Sequence, residues 1–238
     1  MQEQCSLLCD TGPMGKRQDT RDRVEAQIVE LGRRQLVTEG AAGLSLRAIA
    51  RDLGMVSSAV YRYVASRDDL LTLLLIDAYS DLADAVDAAG AGAGDWRDEI
   101  VAMARAAREW AVQRPASWAL LYGSPVPGYQ APAERTVGPG TRVVGALFGA
   151  LARGIADGAV ADSDLAVPQS LSGDFDHLRE EFDFAGDDRA VAKGFALWAG
   201  LVGAISLEVF GQYGADTVTE PGAVFDLQIQ LLLNMLQN

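Results

Sequence analysis

Between Ser45 and Tyr63 the chain gathers hydrogen-bond donors of a particular kind: Ser45, Arg47, Ser57, Ser58, Tyr61, Arg62 and Tyr63. Hydroxyls at helix starts, guanidinium groups and phenols are the donors that meet phosphate oxygens, and a guanidinium also matches the acceptor edge of guanine. Val56, Ser57, Ser58 and Ala59 are small, so a backbone carrying them can approach base edges closely and touch thymine methyl groups. Other chemistries find little to work with. There is no nucleophile beside a base, no phosphate-binding glycine loop and no metal-ligand cluster, so neither a catalytic residue nor a cofactor or metal site is expected. The sole histidine, His177, lies in the acidic stretch Asp174 to Asp183, and the two cysteines, Cys5 and Cys9, have no third ligand near them.

The bland readings differ from residue to residue. Tyr61 could be core, but Val60 and Val64 already supply an apolar face, which leaves Tyr61 for contact. Arg62 reads either as a base or phosphate contact or as a solvated arginine. Arg51, next to Asp52, reads as surface charge more readily than as a base reader. Lys16, Arg17, Arg21 and Arg23 form either a basic arm along a phosphate backbone or a tail that touches nothing.

Short helices must position these donors. Val24, Ile28, Leu31 and Gln35/Leu36 step by three and four through Arg23 to Thr38, the stripe of an amphipathic helix that Gly40 to Gly43 ends. Ser45 is a good N-cap for a second helix with Leu46, Ile49, Ala50 and Leu53 inside, and Gly54 is a typical stop. Ser57 and Ser58 can cap a third short helix, Ser58 to Val64. Ser66, followed by Asp68 and Asp69, opens a fourth and longer one carrying Leu70, Leu71, Leu74, Ala78 and Leu82. Two short helices joined by a glycine turn, the second bearing the donors, make a helix-turn-helix pattern.

Charge is distributed accordingly. The chain carries net −13, which disfavours a nucleic-acid partner, yet Met14 to Arg67 holds ten Lys and Arg against six Asp and Glu, while residues 68–238 hold ten against twenty-five. A small basic module on an acidic body is what such asymmetry describes.

The run Gly43-Leu44-Ser45-Leu46-Arg47-Ala48-Ile49-Ala50-Arg51-Asp52-Leu53-Gly54, then Ser57 to Val64, then Ser66-Arg67-Asp68-Asp69-Leu70-Leu71, closely resembles the TetR/AcrR family signature across roughly Arg21 to Leu75. The resemblance implies that the position of Tyr61 contacts the phosphate backbone and that Tyr63 packs or contacts nearby. It also implies a homodimer on palindromic double-stranded operator DNA, released by a small, mainly apolar effector.

The rest of the chain reads as helix: Trp96 to Gln113, Pro115 to Tyr122, Glu134 to Asp157 with a weak point at Gly138-Pro139-Gly140, an ambiguous Phe175 to Phe184, then Asp187 to Gln212 and Pro221 to Leu236. No useful strand alternation appears, so the expected class is all-α. The expected division is a disordered tail over 1–19, a helix-turn-helix DNA-binding domain over 20–67, and a larger ligand-binding and dimerisation domain over 68–238. The last two helices are expected to pair with a second copy, because two reading heads must sit about one DNA turn, ~34 Å, apart. Phe195 to Gly203 resembles the subgroup named for a Trp-His-Gly feature, with Val202 in place of His. Effector pockets in the family lie among the central helices, which nominates Trp110, Trp118, Tyr122, Phe148 and Trp198, with Met103 and His177 behind them, all of which read equally as plain core. The longest apolar run, Phe195 to Leu207, is too short and interrupted for a membrane span, and residues 1–15 lack a signal-peptide pattern, so a cytoplasmic protein is expected. Met1 and Met14 are alternative starts.

Overall fold

The computed structural model describes residues 13–162, 164–214 and 216–237, with side chains from residue 18 onward; Cys5 and Cys9, and the side chains of Lys16 and Arg17, lie outside the described residues. Among the described residues, ten α-helices and two short 3-10 turns make up the regular structure, and there is no strand. Contacts divide the chain into two compact units, up to Leu74 and from Leu75 onward.

In the first unit, α1 spans Pro13–Glu39, α2 Leu46–Asp52 and α3 Ser57–Val60, and α4, Arg67–Gly90, runs on from this unit into the second. Helix α1 begins ten residues before the apolar stripe at Arg23, so residues 13–19, expected as tail, are helical. The sequence there is rich in i,i+4 pairs: Gln18 donates to Asp22 at 2.7 Å, and Arg21 pairs with Glu25 at 2.7 Å. Such pairs support a helix that has no apolar face to bury. Ile28, Leu36, Leu44, Leu46, Ile49, Val60, Val64, Leu70 and Leu74 are buried, and Gly32 lets α1 approach α4 closely, since a Cβ there would lie 3.2 Å from Leu74.

One polar residue sits in this apolar stripe. The buried Gln35 accepts a hydrogen bond from the Ser45 N–H at 2.8 Å and donates to the Ser45 carbonyl at 3.4 Å, so α1 pins the residue that begins α2. Gln35→Leu keeps the stripe apolar but orphans the Ser45 N–H. It is expected to cost about 1–3 kcal/mol, read as a lower denaturant midpoint with unchanged slope.

The second unit contains the rest of α4 with α5 (Trp96–Gln113), α6 (Pro115–Tyr122), α7 (Ala133–Ala156), α8 (Ser172–Phe182), α9 (Asp188–Val209) and α10 (Pro221–Gln237). Helix α9 is the hub, packing on α5, α6, α7, α8 and α10. Its glycines allow this: a Cβ on Gly194 would meet the Phe148 ring at 2.6 Å, and one on Gly200 would meet Leu232 at 2.7 Å. By length and composition α9 could cross a membrane, but it is this unit's central helix, with Val191, Leu197, Leu201 and Ile205 buried. Helix α7 does not break at its weak point: Pro139 stands inside a continuous helix, as its seventh residue. Phe175 to Phe184 resolves as α8, ended by Asp183 in the left-handed conformation at φ 48°.

Candidate functional site

Ser45 is the N-cap of α2, its extended backbone turning into the helix while its hydroxyl accepts from the Ala48 N–H at 3.3 Å. The hydroxyl proton remains free to donate outward. Gly54 ends the turn at φ 66°, which only a residue without Cβ adopts cheaply. Val56, 72% exposed, leads into α3, where Ser57 and Ser58 are also exposed.

Helix α3 is shorter than the expected Ser58 to Val64. The α-helical pattern stops at Val60, and Tyr61, Arg62 and Tyr63 form a tightened turn in which the Arg62 N–H donates to Ala59 at 3.3 Å and the Tyr63 N–H to Val60 at 2.9 Å. The Val64 N–H then returns to Val60 at 3.1 Å, so the chain keeps a helical course while its pitch tightens. Sidedness follows from burial: Val60 and Val64 are fully buried and Ala59 is at the edge of the core, whereas Tyr61 is 44% exposed and Arg62 is exposed. Tyr63 is half-buried, with the Arg21 guanidinium 5.8 Å from its ring centroid. That contact places Arg21 against the side of this unit rather than in a loose arm.

The arginines of the two units differ in how many are paired. In residues 75–237 every arginine has a partner. Arg142 bonds Asp84 and Asp87, Arg108 grips Glu208, Arg105 meets Asp226, Arg114 meets Asp81, Arg153 meets Glu99, Arg179 meets Asp188 and Asp176, and Arg189 meets Asp162 and Asp187. Arg97 bonds Asn234, and Arg135 too is engaged. In the first unit, by contrast, the exposed Arg23, Arg47, Arg51 and Arg62 make no ion pair or side-chain hydrogen bond among the described residues. Uncompensated guanidiniums on one small unit are a phosphate-binding charge distribution.

The interior nominees of the second unit fall into separate places. Trp118 and Tyr122 of α6 meet Trp198 of α9: ring centroids are 4.4 Å apart for Trp118–Tyr122 and 5.8 Å for Tyr122–Trp198. Tyr79 of α4, which the periodicity of its helix does not single out, joins them at 6.4 Å from Tyr122. Phe148 belongs to a second cluster with Phe182, Phe184 and Phe195 at 5.0–6.5 Å. Trp110 donates to Asp81 at 2.8 Å under the Arg114 guanidinium, and Met103 is core against Gly90. His177 is exposed on α8 and joins none of these groups.

A third feature is apolar and outward. Leu207 on α9 and Leu227, Leu231 and Met235 on α10 are exposed, beside a groove of about 440 Å³ lined by Ala199, Gly200, Gly203 and Leu232 with Gln228 as a polar member.

Residues 28–74 match the family model for bacterial regulatory proteins of the tetR family, and residues 100–232 match that for the tetracyclin repressor-like C-terminal domain. HTH-type transcriptional regulator Rv1816 of Mycobacterium tuberculosis is 65% identical over 231 residues, spanning 96% of this chain and 99% of that protein. A shorter match, 34% over 99 residues covering 42% of this chain and 36% of that protein, is to HTH-type transcriptional repressor DrrR1 of Streptomyces coeruleorubidus. The solved structure of SCO4313 superposes with a TM-score of 0.75 at 32% identity, covering 92% of this chain and 98% of that one. With a donor-bearing helix-turn-helix unit, an all-helical second unit, and relatives named as transcriptional regulators rather than enzymes, the chain belongs to the TetR family of bacterial regulatory proteins.

Proposed function

We propose that this protein is a cytoplasmic repressor that binds a palindromic operator as a homodimer and releases it when a small effector enters the second domain. The observation that carries the reading is the set of unpaired arginines, Arg47, Arg51 and Arg62, beside exposed Tyr61, on a protein whose other unit leaves no arginine unpaired. In this reading residues 20–67 bind DNA, and residues 68–238 bind the effector and dimerise. Ser45, Arg47, Ser57, Ser58, Tyr61, Arg62 and Tyr63 supply contacts to phosphates and base edges, with Val56 and Ala59 keeping the approach close. Repression is also the activity in the printed name of DrrR1.

Two copies meet through α9 and α10, where exposed leucines flank a groove floored by glycine and alanine that admits a partner's side chains. Helix α4, continuous across the division between the units, is the covalent path by which an effector would act on the reader. An effector shifts the equilibrium only by binding the two states unequally.

The test is selection of the purified protein on random double-stranded DNA, followed by titration of the enriched site at several salt concentrations. A palindrome is expected. Arg47→Ala is expected to weaken binding about tenfold; a phosphate contact would also reduce the salt slope by about one, whereas a guanine contact would relax sequence preference at one position. A folded dimer that enriches no sequence would overturn the proposal.

A further inference from the structure

Between the end of α7 and the start of α9 the second unit holds a cavity of about 330 Å³. Its polar lining is Lys193 and Arg189 of α9, Asp187 just before that helix, and Asp162 beyond α7, while Ile155 and Val160 supply apolar wall. None of these residues belongs to the aromatic cluster around Trp118 and Trp198.

The two cations of the lining keep donors in hand. Lys193 is half-buried, and its ammonium donates to two main-chain carbonyls, Ala161 at 2.9 Å and Leu236 at 3.2 Å, with no carboxylate partner among the described residues. An ammonium has three N–H groups, so one is left over. Arg189, one helical turn earlier, spends its Nε on the Leu165 carbonyl at 3.1 Å, while its Nη1 stands 3.5 Å from Asp162 and 3.7 Å from Asp187. These ion pairs are loose, longer than the ~2.7–2.9 Å of a charge-assisted hydrogen bond. Arg108, by contrast, closes on Glu208 at 2.6 and 2.7 Å. On the acidic side, Asp187 uses one oxygen to cap α9 through the Ala190 N–H at 2.9 Å, and its other oxygen has only the distant guanidinium.

This charge pattern narrows the ligand. A plain anion drawn to Lys193 and Arg189 would lie beside Asp187, and a plain cation drawn to Asp187 and Asp162 would lie beside the two bases. A molecule that carries both charges a few atoms apart satisfies both sets. The volume is near the lower end of the ~300–1,000 Å³ of small-molecule sites, so the molecule is small, and the apolar wall suits a hydrocarbon body.

We propose that this cavity binds a free α-amino acid with an aliphatic side chain. Lys193 and Arg189 hold its carboxylate, Asp187 and, at the rim, Asp162 hold its ammonium, and Ile155 and Val160 receive its side chain. The site stands apart from the effector and operator readings above, and its test needs no DNA.

Three probes separate the elements of recognition: L-leucine, 4-methylpentanoate, which lacks the ammonium, and 3-methylbutylamine, which lacks the carboxylate. Each is titrated by calorimetry into the full-length protein and into Lys193→Gln, Arg189→Gln and Asp187→Asn. Melting curves without ligand show which variants fold; Asp187→Asn keeps a capping side chain and loses only the charge, and Arg189→Gln leaves the two carbonyl bonds of Lys193 in place. Leucine is expected to bind at least about tenfold more tightly than either truncated probe. Lys193→Gln and Arg189→Gln are each expected to weaken leucine about tenfold without weakening the amine, and Asp187→Asn to weaken leucine about fivefold without weakening 4-methylpentanoate. Absence of leucine binding, a truncated probe that binds as tightly as leucine, or folded variants that bind leucine like the wild type would overturn the proposal.

Discussion

Leu231→Glu is expected to leave the protein monomeric and to weaken operator binding by at least about a hundredfold. Leu231 lies on α10, 60% exposed, with Leu227 at 56% on the preceding turn and Met235 on the next. In a monomer a glutamate there faces water, so the protomer should keep its fold, while its melting temperature falls by the share that dimerisation contributes and loses its dependence on protein concentration. In an isologous dimer the same change occurs twice, placing two carboxylates in an apolar contact without partners, and unpaired buried charge costs several kcal/mol. Losing the dimer also loses the second half-site, which multiplies the effect on DNA. Sedimentation of wild type and variant at equal concentration, beside a mobility shift, checks both halves. A dimeric Leu231→Glu protein with wild-type affinity would place the interface elsewhere.

Trp118→Ala is expected to be the most destabilising single change in the second unit, at about 3–5 kcal/mol. Trp118 is 1% exposed, lies against Tyr122, and its indole N–H is bonded to Ser206 on α9, so truncation opens a cavity and strands a hydroxyl together. For a unit of this size the melting temperature should fall by on the order of 10 °C. Ser206→Ala separates the contributions: it removes only the acceptor, and should cost about 1–3 kcal/mol. A Trp118→Ala protein melting within a degree or two of wild type would show that α6 is not part of the cooperative core.

Much of the first unit is local and was therefore legible. Ser45 as a cap, Gly54 as a stop, and the split between buried Val60 and Val64 and exposed Tyr61 each depend on a few neighbouring residues, and the structure agrees with them. The boundaries of α5 and α6 were legible for the same reason, since Arg114-Pro115 ends one helix and opens the next. Where the reading fell short, distance in sequence was the reason. Gln35 reads only as sharing a step of the apolar stripe with Leu36, and its meaning lies in two hydrogen bonds to Ser45, ten residues on. Helix α7 looked weak at Gly138-Pro139-Gly140, yet it runs unbroken there, with Thr136, Val143, Leu147, Phe148 and Leu151 packed inward.

The sequence by itself determined the class of this protein: an all-helical chain with a helix-turn-helix reader, donor residues in a small basic segment and an acidic helical remainder, because periodicity, capping and charge are all encoded over a few residues. Only the tertiary structure decided which arginines are free, since pairing depends on carboxylates up to 121 positions away, as between Arg105 and Asp226. It alone also sorted the aromatic residues, putting Tyr79 with Trp118, Tyr122 and Trp198, sending Phe148 to another cluster, and leaving His177 at the surface. Helical spacing says that a ring points inward but is silent on which ring, from which helix, it will meet there.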